Sequence, residues 1–198
     1  VRYHIPDAGW EQDQLVATVD TMARDDRLFF YDHFGQTEWE VVQSRMRFLA
    51  VSEGVRIFFL DHLTALAAGQ DDERVELERI MADIGGMVKE LNIMIILVSH
   101  LATPEGKPHE EGGRVMIRHF KGSRAIGFWC HFMFGLERNQ QAESDEEKCT
   151  TTFRILKDRY TGNSTGQTFL LGYQRDTGRL LEKADVVFTE GTADARPF

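Results

Sequence analysis

The chain has 198 residues, 42% hydrophobic and 28% charged, and 23 Lys+Arg against 32 Asp+Glu give a formal charge of -9. With 17 Gly and 4 Pro it is neither a low-complexity nor a collagen-like chain, and its apolar share excludes a disordered acidic tail, so one globular domain is expected. The negative total excludes a general polyanion binder of the histone kind, but not a local basic loop that meets nucleic acid.

Along the chain, Leu15, Val19 and Met22 stand at spacings of four and three and predict an amphipathic helix over residues 12 to 24. Leu28-Phe29-Phe30-Tyr31 then reads as a buried strand. A second helix over 37 to 52 carries Trp39, Val42, Met46 and Leu49 on one face, and a strand from Val55 to Leu60 ends at Asp61. A third helix over 72 to 91 has acidic residues in its first turn, where the helix dipole favours them. Its core face holds Val75, Leu77, Ile80, Ile84, Met87, Val88 and Leu91, and Gly85-Gly86 weakens it mid-length. The strand Ile93 to Val98 closes at Ser99-His100, and two Pro with three Gly make 101 to 114 a loop. A short helix at 122 to 130, a strand from His131 to Leu136, and strands Thr150 to Leu156 and Thr168 to Tyr173 joined as a hairpin complete residues 1 to 183, while 184 to 198 read as a frayed tail. Strand and helix in alternation predict an α/β fold with a mostly parallel sheet flanked by helices.

Cys130 and Cys149 lie nineteen positions apart without a CxxC pair, which points to a reducing compartment and no disulfide framework. The aliphatic run Ile93 to Val98 and the uncharged stretch Ala125 to Leu136 fall short of the roughly 20 residues that span a bilayer, so no membrane association is expected. The chain begins Val-Arg-Tyr-His, with neither an initiator Met nor a targeting segment, as an interior or C-terminal piece of a longer protein would.

Four features could carry chemistry. Asp61 follows four apolar strand residues, and ligands of open α/β sheets bind outside the carboxyl ends of strands; a strand entering a loop reads the same way. Ser99 and His100 emerge one β-α unit later toward the same rim. Between 103 and 124 five Lys/Arg, namely Lys107, Arg114, Arg118, Lys121 and Arg124, stand with His109 and His119 against three Asp/Glu, either a binding stretch or a solvated face. Lys157 and Arg159 end a strand at a turn, where cations suit phosphate recognition; an exposed basic turn is the competing reading. No G-x-x-x-x-G-K-[ST] occurs, so this stretch of chain does not itself cradle a triphosphate in the usual way.

The motifs L-D-H-L-T at 60 to 64, V-S-H-L at 98 to 101, P-H-E-E-G-G-R at 108 to 114, K-G-S-R-A-I at 121 to 126, L-E-R-N-Q-Q at 136 to 141, R-I-L-K-D-R-Y-T-G at 154 to 162 and G-Y-Q-R-D-T-G at 172 to 178 occur in one order. Together they resemble the helicase domain of the phage primase-helicases and of the mitochondrial helicase Twinkle, within the DnaB-like hexameric replicative helicases. The resemblance covers about residues 28 to 182.

It implies a RecA-like motor with the P-loop part and the catalytic glutamate upstream of Val1, so that the chain is the later two-thirds of the motor domain. It implies a hexameric or heptameric ring that hydrolyses ATP or dTTP with Mg2+ and moves 5′ to 3′ on single-stranded DNA, unwinding forked duplex. Primase and a replicative polymerase are the implied partners, and the cytoplasm of a bacterial or phage-infected cell, or an organelle matrix, the implied place. By residue, Asp61 matches the Walker B acid that holds the Mg2+ shell, His100 the phosphate-sensing histidine, and Arg159 the arginine finger with Lys157 as companion. Ser99, Arg138 and Tyr173 match the nucleotide side, Tyr173 by stacking on the base, and Lys107, Arg114 and Lys121 the DNA side. The chain departs from its phage relatives at Ala102 and Thr103, which lower the charge of the DNA loop, and at Gly127, Phe128 and His131. A RecA-type recombinase or KaiC-like clock ATPase shares the core and is the first alternative; a non-catalytic DNA-binding or assembly fragment is the second.

Overall fold

The third helix shows how the chain builds its core. Asp72 caps it by accepting from the backbone N–H groups of Arg74 (3.0 Å) and Val75 (3.1 Å). Leu77, Ile80, Met81, Ile84 and Met87 then bury one stripe, and Asn92, in the left-handed conformation at φ 52°, ends the helix. The computed structural model describes residues 9–23, 28–31, 38–175 and 178–183. Within them the elements run α1 (Gly9–Ala23), α2 (Trp39–Ser52), β1 (Ile57–Leu60), α3 (Glu73–Leu91), β2 (Met94–Leu97), α4 (Ser123–Trp129), β3 (Phe132–Arg138), α5 (Asp145–Lys148), β4 (Thr150–Asp158), β5 (Thr168–Tyr173) and β6 (Leu180–Glu182).

The strands form two sheets. β1 and β2 pair in parallel, Ile57 opposite Met94 through Leu60 opposite Leu97. The other four form an antiparallel meander in the order β3-β4-β5-β6. The expectation of a mostly parallel sheet is therefore corrected: among the described residues only two strands are parallel, because the connections after β3, residues 139 to 149, 159 to 167 and 174 to 179, are shorter than the dozen or more residues a crossover needs. The alternation of strand and helix holds up to β4, after which β5 and β6 follow without a helix.

Leu28 to Tyr31, expected as a buried strand, has no regular secondary structure; Phe30 is 85% exposed and Tyr31 lies under the Arg45 guanidinium at 5.1 Å. A strand needs a partner as well as apolar residues, and among the described residues β1 pairs with β2 alone. Ile57 and Phe59 correspondingly face outward at 52% and 75% exposure. The apolar stripe of α1 (Leu15, Val19 and Met22) is likewise exposed, and Val75 lies outside the core to which it was expected to belong. The frayed tail expected at 184 to 198 lies outside the described residues.

The core sits between α2, α3, α4 and the parallel pair, with Trp39, Leu63, Ile80, Met81 and Met87 almost wholly buried, and Met133 brings in the antiparallel sheet. The Trp39 indole N–H donates to Asp83 Oδ2 at 2.9 Å, which satisfies its polar tip while joining α2 to α3. Gly85 and Gly86, read from sequence as a weak spot, differ in role. A Cβ on Gly85 would stand 2.4 Å from Trp129 Cε3, whereas one on Gly86 would meet nothing within 4 Å. Gly85 thus lets α4 lie close to α3. Gly85→Ala is expected to cost about 1–2 kcal/mol, overpacking outweighing the gain in helix propensity, and Gly86→Ala to stabilise by about 0.5–1 kcal/mol. Urea unfolding of the two variants checks the opposite signs.

Candidate functional site

At the carboxyl ends of the parallel strands the chain is cross-tied. Leu63 is fully buried beyond Asp61, and its N–H donates to Val98 O at 2.9 Å, locking the turn after β1 to the end of β2. Asp61 is exposed at this rim. His62 is half-buried, and its ring lies 3.9 Å from that of His100, centroid to centroid. His100 O accepts from the Lys121 N–H at 3.1 Å. His62, His100, Lys121 and Arg74 line one open cleft of about 750 Å³ together with Thr64, Glu73 and Gly122. Thus the structure brings Asp61, Ser99, His100 and Lys121 to one rim. It adds His62, which the sequence reading passed over although it stands next to Asp61.

The basic stretch divides into two parts. Lys107, Arg114, Arg118, Lys121 and Arg124 are exposed. His119 is buried, and burial first, then the charges of His109 and Arg118, hold it below the usual histidine range, so it adds no positive charge at neutral pH. The Pro108-to-Gly113 segment folds tightly on itself: Gly113 N–H donates to Pro108 O at 2.9 Å, and a Cβ on Gly113 would fall 2.2 Å from Lys107 O. Gln140 N–H donates to Glu110 O at 2.8 Å, pinning this turn to the end of β3. The loop expected over 101 to 114 is therefore anchored at its start, where the Ala102 N–H donates to His119 O at 2.6 Å, and in its second half, which leaves 103 to 107 as the open part.

The remaining candidates lie beside the two ends of β4: Arg138 at the end of β3 and Tyr173 at the end of β5 near its start, Lys157 and Arg159 at its other end. Near its start Arg138 donates from Nε to Lys148 O at 2.5 Å, and the Tyr173 N–H donates to Cys149 O at 2.7 Å. Tyr173 lines a cleft of about 400 Å³ with Cys149, Gly172 and Leu181. At the other end, Lys157 Nζ donates to Gly127 O (2.5 Å) and Cys130 O (2.9 Å), and Arg159 Nη2 to Phe128 O (2.6 Å). Two cations so placed neutralise the negative end of α4. Burial first, and the Arg159 charge second, hold the Lys157 ammonium below its ordinary range. Lys157 is thereby half-buried and engaged in fixing α4, while Arg159 is exposed with Nη2 alone in that bond. Thr151 pairs with Arg138 and Asp158 with Phe132, so the two ends lie ~23 Å apart at about 3.3 Å per residue.

Asp158 is a further residue that the sequence reading did not single out. Its carboxylate accepts from the N–H groups of Tyr160 and Thr161 and from the hydroxyls of Thr161 (2.6 Å) and Ser164 (2.9 Å). These bonds, with Thr161 first, hold it well below the usual carboxylate range. The turn that presents Arg159 is thus built on its neighbour; an Asp followed by Thr-Gly-Asn-Ser was the local signal. Among the described residues no group of three or more His, Cys, Asp or Glu could hold a metal ion, and no helix is long and apolar enough to cross a membrane.

The family model for the DnaB-like helicase C-terminal domain matches residues 7–182. A DNA helicase/primase of Enterobacteria phage T3 is 32% identical over 178 residues, covering 88% of this chain and 31% of that protein. A solved DnaB-like replicative helicase, described together with its interactions with primase, superposes with a TM-score of 0.68 at 19% identity, over 91% of this chain and 42% of the other. A KaiC-like protein from the hyperthermophilic archaeon Pyrococcus horikoshii gives a TM-score of 0.59 at 9% identity, over 89% and 70%. At such identities the two structures speak for the mixed α/β fold alone. The chain spans about a third of the phage relative.

Proposed function

Since this chain belongs to the family of the DnaB-like helicase C-terminal domain, we propose that it is the motor segment of a replicative helicase, residues 1 to 183 acting within a ring that moves 5′ to 3′ along single-stranded DNA and unwinds forked duplex. The observation that carries this reading is the rim where Asp61 and His100 leave adjacent parallel strands with Lys121 beside them. Phosphoryl transfer depends on positioning and charge neutralisation more than on covalent chemistry, and this rim offers both.

Mg2+ takes few protein carboxylates and keeps much of its water, so the single exposed Asp61 fits a shell held partly by nucleotide phosphates. When bound, Mg2+ with ATP or dTTP supplies the phosphoryl group and its charge neutralisation. Asp61 would hold the metal through its water shell. His100, with Ser99 beside it, senses the phosphate end and passes its state to 103 to 107, the open part of the loop. Arg138 and Tyr173 hold the nucleotide's far end, Tyr173 as an aromatic wall. Arg159 reaches a neighbouring subunit, which the distance between the two ends of β4 supports. The exposed rings of Phe132, Phe134 and Tyr160 beside Arg159 support an assembly face there. Primase and a replicative polymerase are the partners this role needs, in the cytoplasm of a bacterial or phage-infected cell or in an organelle matrix.

The test is unwinding of forked DNA by the intact protein with NTP and Mg2+. NTP-dependent strand separation supports the motor. Strand exchange without unwinding favours a KaiC- or RecA-like ATPase, the reading the second structural likeness keeps in play, and no hydrolysis at all favours a DNA-binding or assembly module. Lys107→Ala should weaken single-stranded DNA binding and reduce the salt slope of log K by about one, as for the loss of one phosphate contact. Arg114 and Lys121 are the further DNA contacts in this reading, and an unchanged slope removes Lys107 from that set.

A further inference from the structure

We infer that His62 is a positioning residue whose ring, packed at a tilt against His100, fixes the orientation of that histidine at the rim; the inference deepens the motor reading and rests on it for the role of His100. His100 is exposed on a loop, where an imidazole has several staggered positions to choose among. Among the described residues its ring contact is His62, at 3.9 Å and an interplanar angle of 31°. His62 is itself held firmly. Its Nδ1 accepts from the Thr64 hydroxyl at 2.8 Å and from the Ala65 N–H at 3.2 Å. A backbone N–H only donates, so Nδ1 bears no proton and Nε2 does. The ring therefore caps the 3-10 turn Leu63–Leu66, whose first residue is fully buried and bonded to the end of β2.

The consequence is a rigid link between two strand ends. The turn that presents Asp61 also carries the flat surface on which His100 rests, so a shift of either strand end moves both groups together. A reacting group must be held close to its productive geometry by neighbours that are themselves locked, and His62 satisfies that condition.

Two substitutions separate the ring contact from the cap. His62→Asn keeps a side chain that caps turns well and removes the ring; His62→Phe keeps a flat ring and removes the acceptor. In the intact protein with saturating single-stranded DNA, His62→Asn is expected to lower kcat for NTP hydrolysis about tenfold or more with KM changed less than about twofold, while His62→Phe stays within about threefold of wild type. Carbethoxylation of His100 by diethylpyrocarbonate, followed by peptide mapping, should run at least about threefold faster in His62→Asn than in wild type or His62→Phe, because the uncovered ring is exposed on both faces. Wild-type kcat in His62→Asn, or an unchanged His100 modification rate in that variant, overturns the inference. If the wild-type protein shows no DNA-stimulated hydrolysis, the motor reading fails by itself, and the modification rates still decide whether His62 holds His100.

Discussion

Replacing Arg159 by Ala is expected to lower DNA-stimulated NTP hydrolysis of the intact protein by about 10³- to 10⁵-fold with NTP binding retained, the scale an arginine finger contributes. Arg159 stands in the turn after β4, 2.6 Å from Phe128 O through Nη2 and 6.0 Å from the Phe128 ring centre. A guanidinium has five N–H donors, so one bond to a carbonyl leaves the planar fork able to meet a phosphate. Lys157 does not substitute for it, because its ammonium is spent on Gly127 O and Cys130 O. Arg159→Lys should restore little, since an ammonium lacks the fork. Mixing Arg159→Ala with Asp61→Ala subunits checks the direction of reach. If Arg159 acts across a boundary, mixed rings recover part of the lost activity, because some sites then combine an intact Asp61 with a neighbour's intact Arg159. Full turnover in Arg159→Ala alone removes the finger assignment.

The first half of the fold was legible because its signals are local: α2 and α3 follow a spacing of 3.6, and both parallel strands are unbroken apolar runs, Ile57 to Leu60 and Met94 to Leu97. β6 and α5, three and four residues long, are below what any period can reveal, although Ser144 accepting from Glu147 N–H left a capping signal. β3 was read as ending at Leu136 because Glu137 and Arg138 look like solvent; Glu137 instead points inward, and the reason lies seventeen residues away in Arg154. Leu28 to Tyr31 shows the converse, apolar residues without a strand beside them. The sequence puts Asp61, Ser99 and His100 at one rim because two neighbouring parallel strands end there; Lys121, read on the DNA side, lines the same cleft as His100. The motifs could not show that Lys157 closes off α4, that the second half of the 101 to 114 loop is pinned to Asn139 and Gln140, or that His62 lies on His100. Those are properties of contact between segments distant in sequence, which no local pattern encodes.

Glu137→Ala is expected to destabilise the domain by about 3–5 kcal/mol, the range for removing one partner of a buried ion pair. Glu137 is 8% exposed; its Oε1 accepts from Arg154 Nε (2.7 Å) and Val115 N–H (2.9 Å), and its Oε2 from Arg154 Nη2 (2.9 Å). Removing the carboxylate leaves a largely buried guanidinium and a buried backbone N–H without their acceptor, and the loss of both is what makes the effect large. Glu137→Gln still offers an oxygen to Val115 but loses the charge, so its cost should be about half. The double variant Glu137→Met with Arg154→Met should lose less than Glu137→Ala, since it removes the orphaned charge as well; urea unfolding of the set closes a double-mutant cycle. The same bonds tie the exit of the loop at Val115 to the strand that leads to Arg159. Hence the Gln variant, at a temperature where it is folded, should also blunt stimulation of hydrolysis by DNA more than it lowers the basal rate. Equal loss of both rates would confine Glu137 to holding the sheet together.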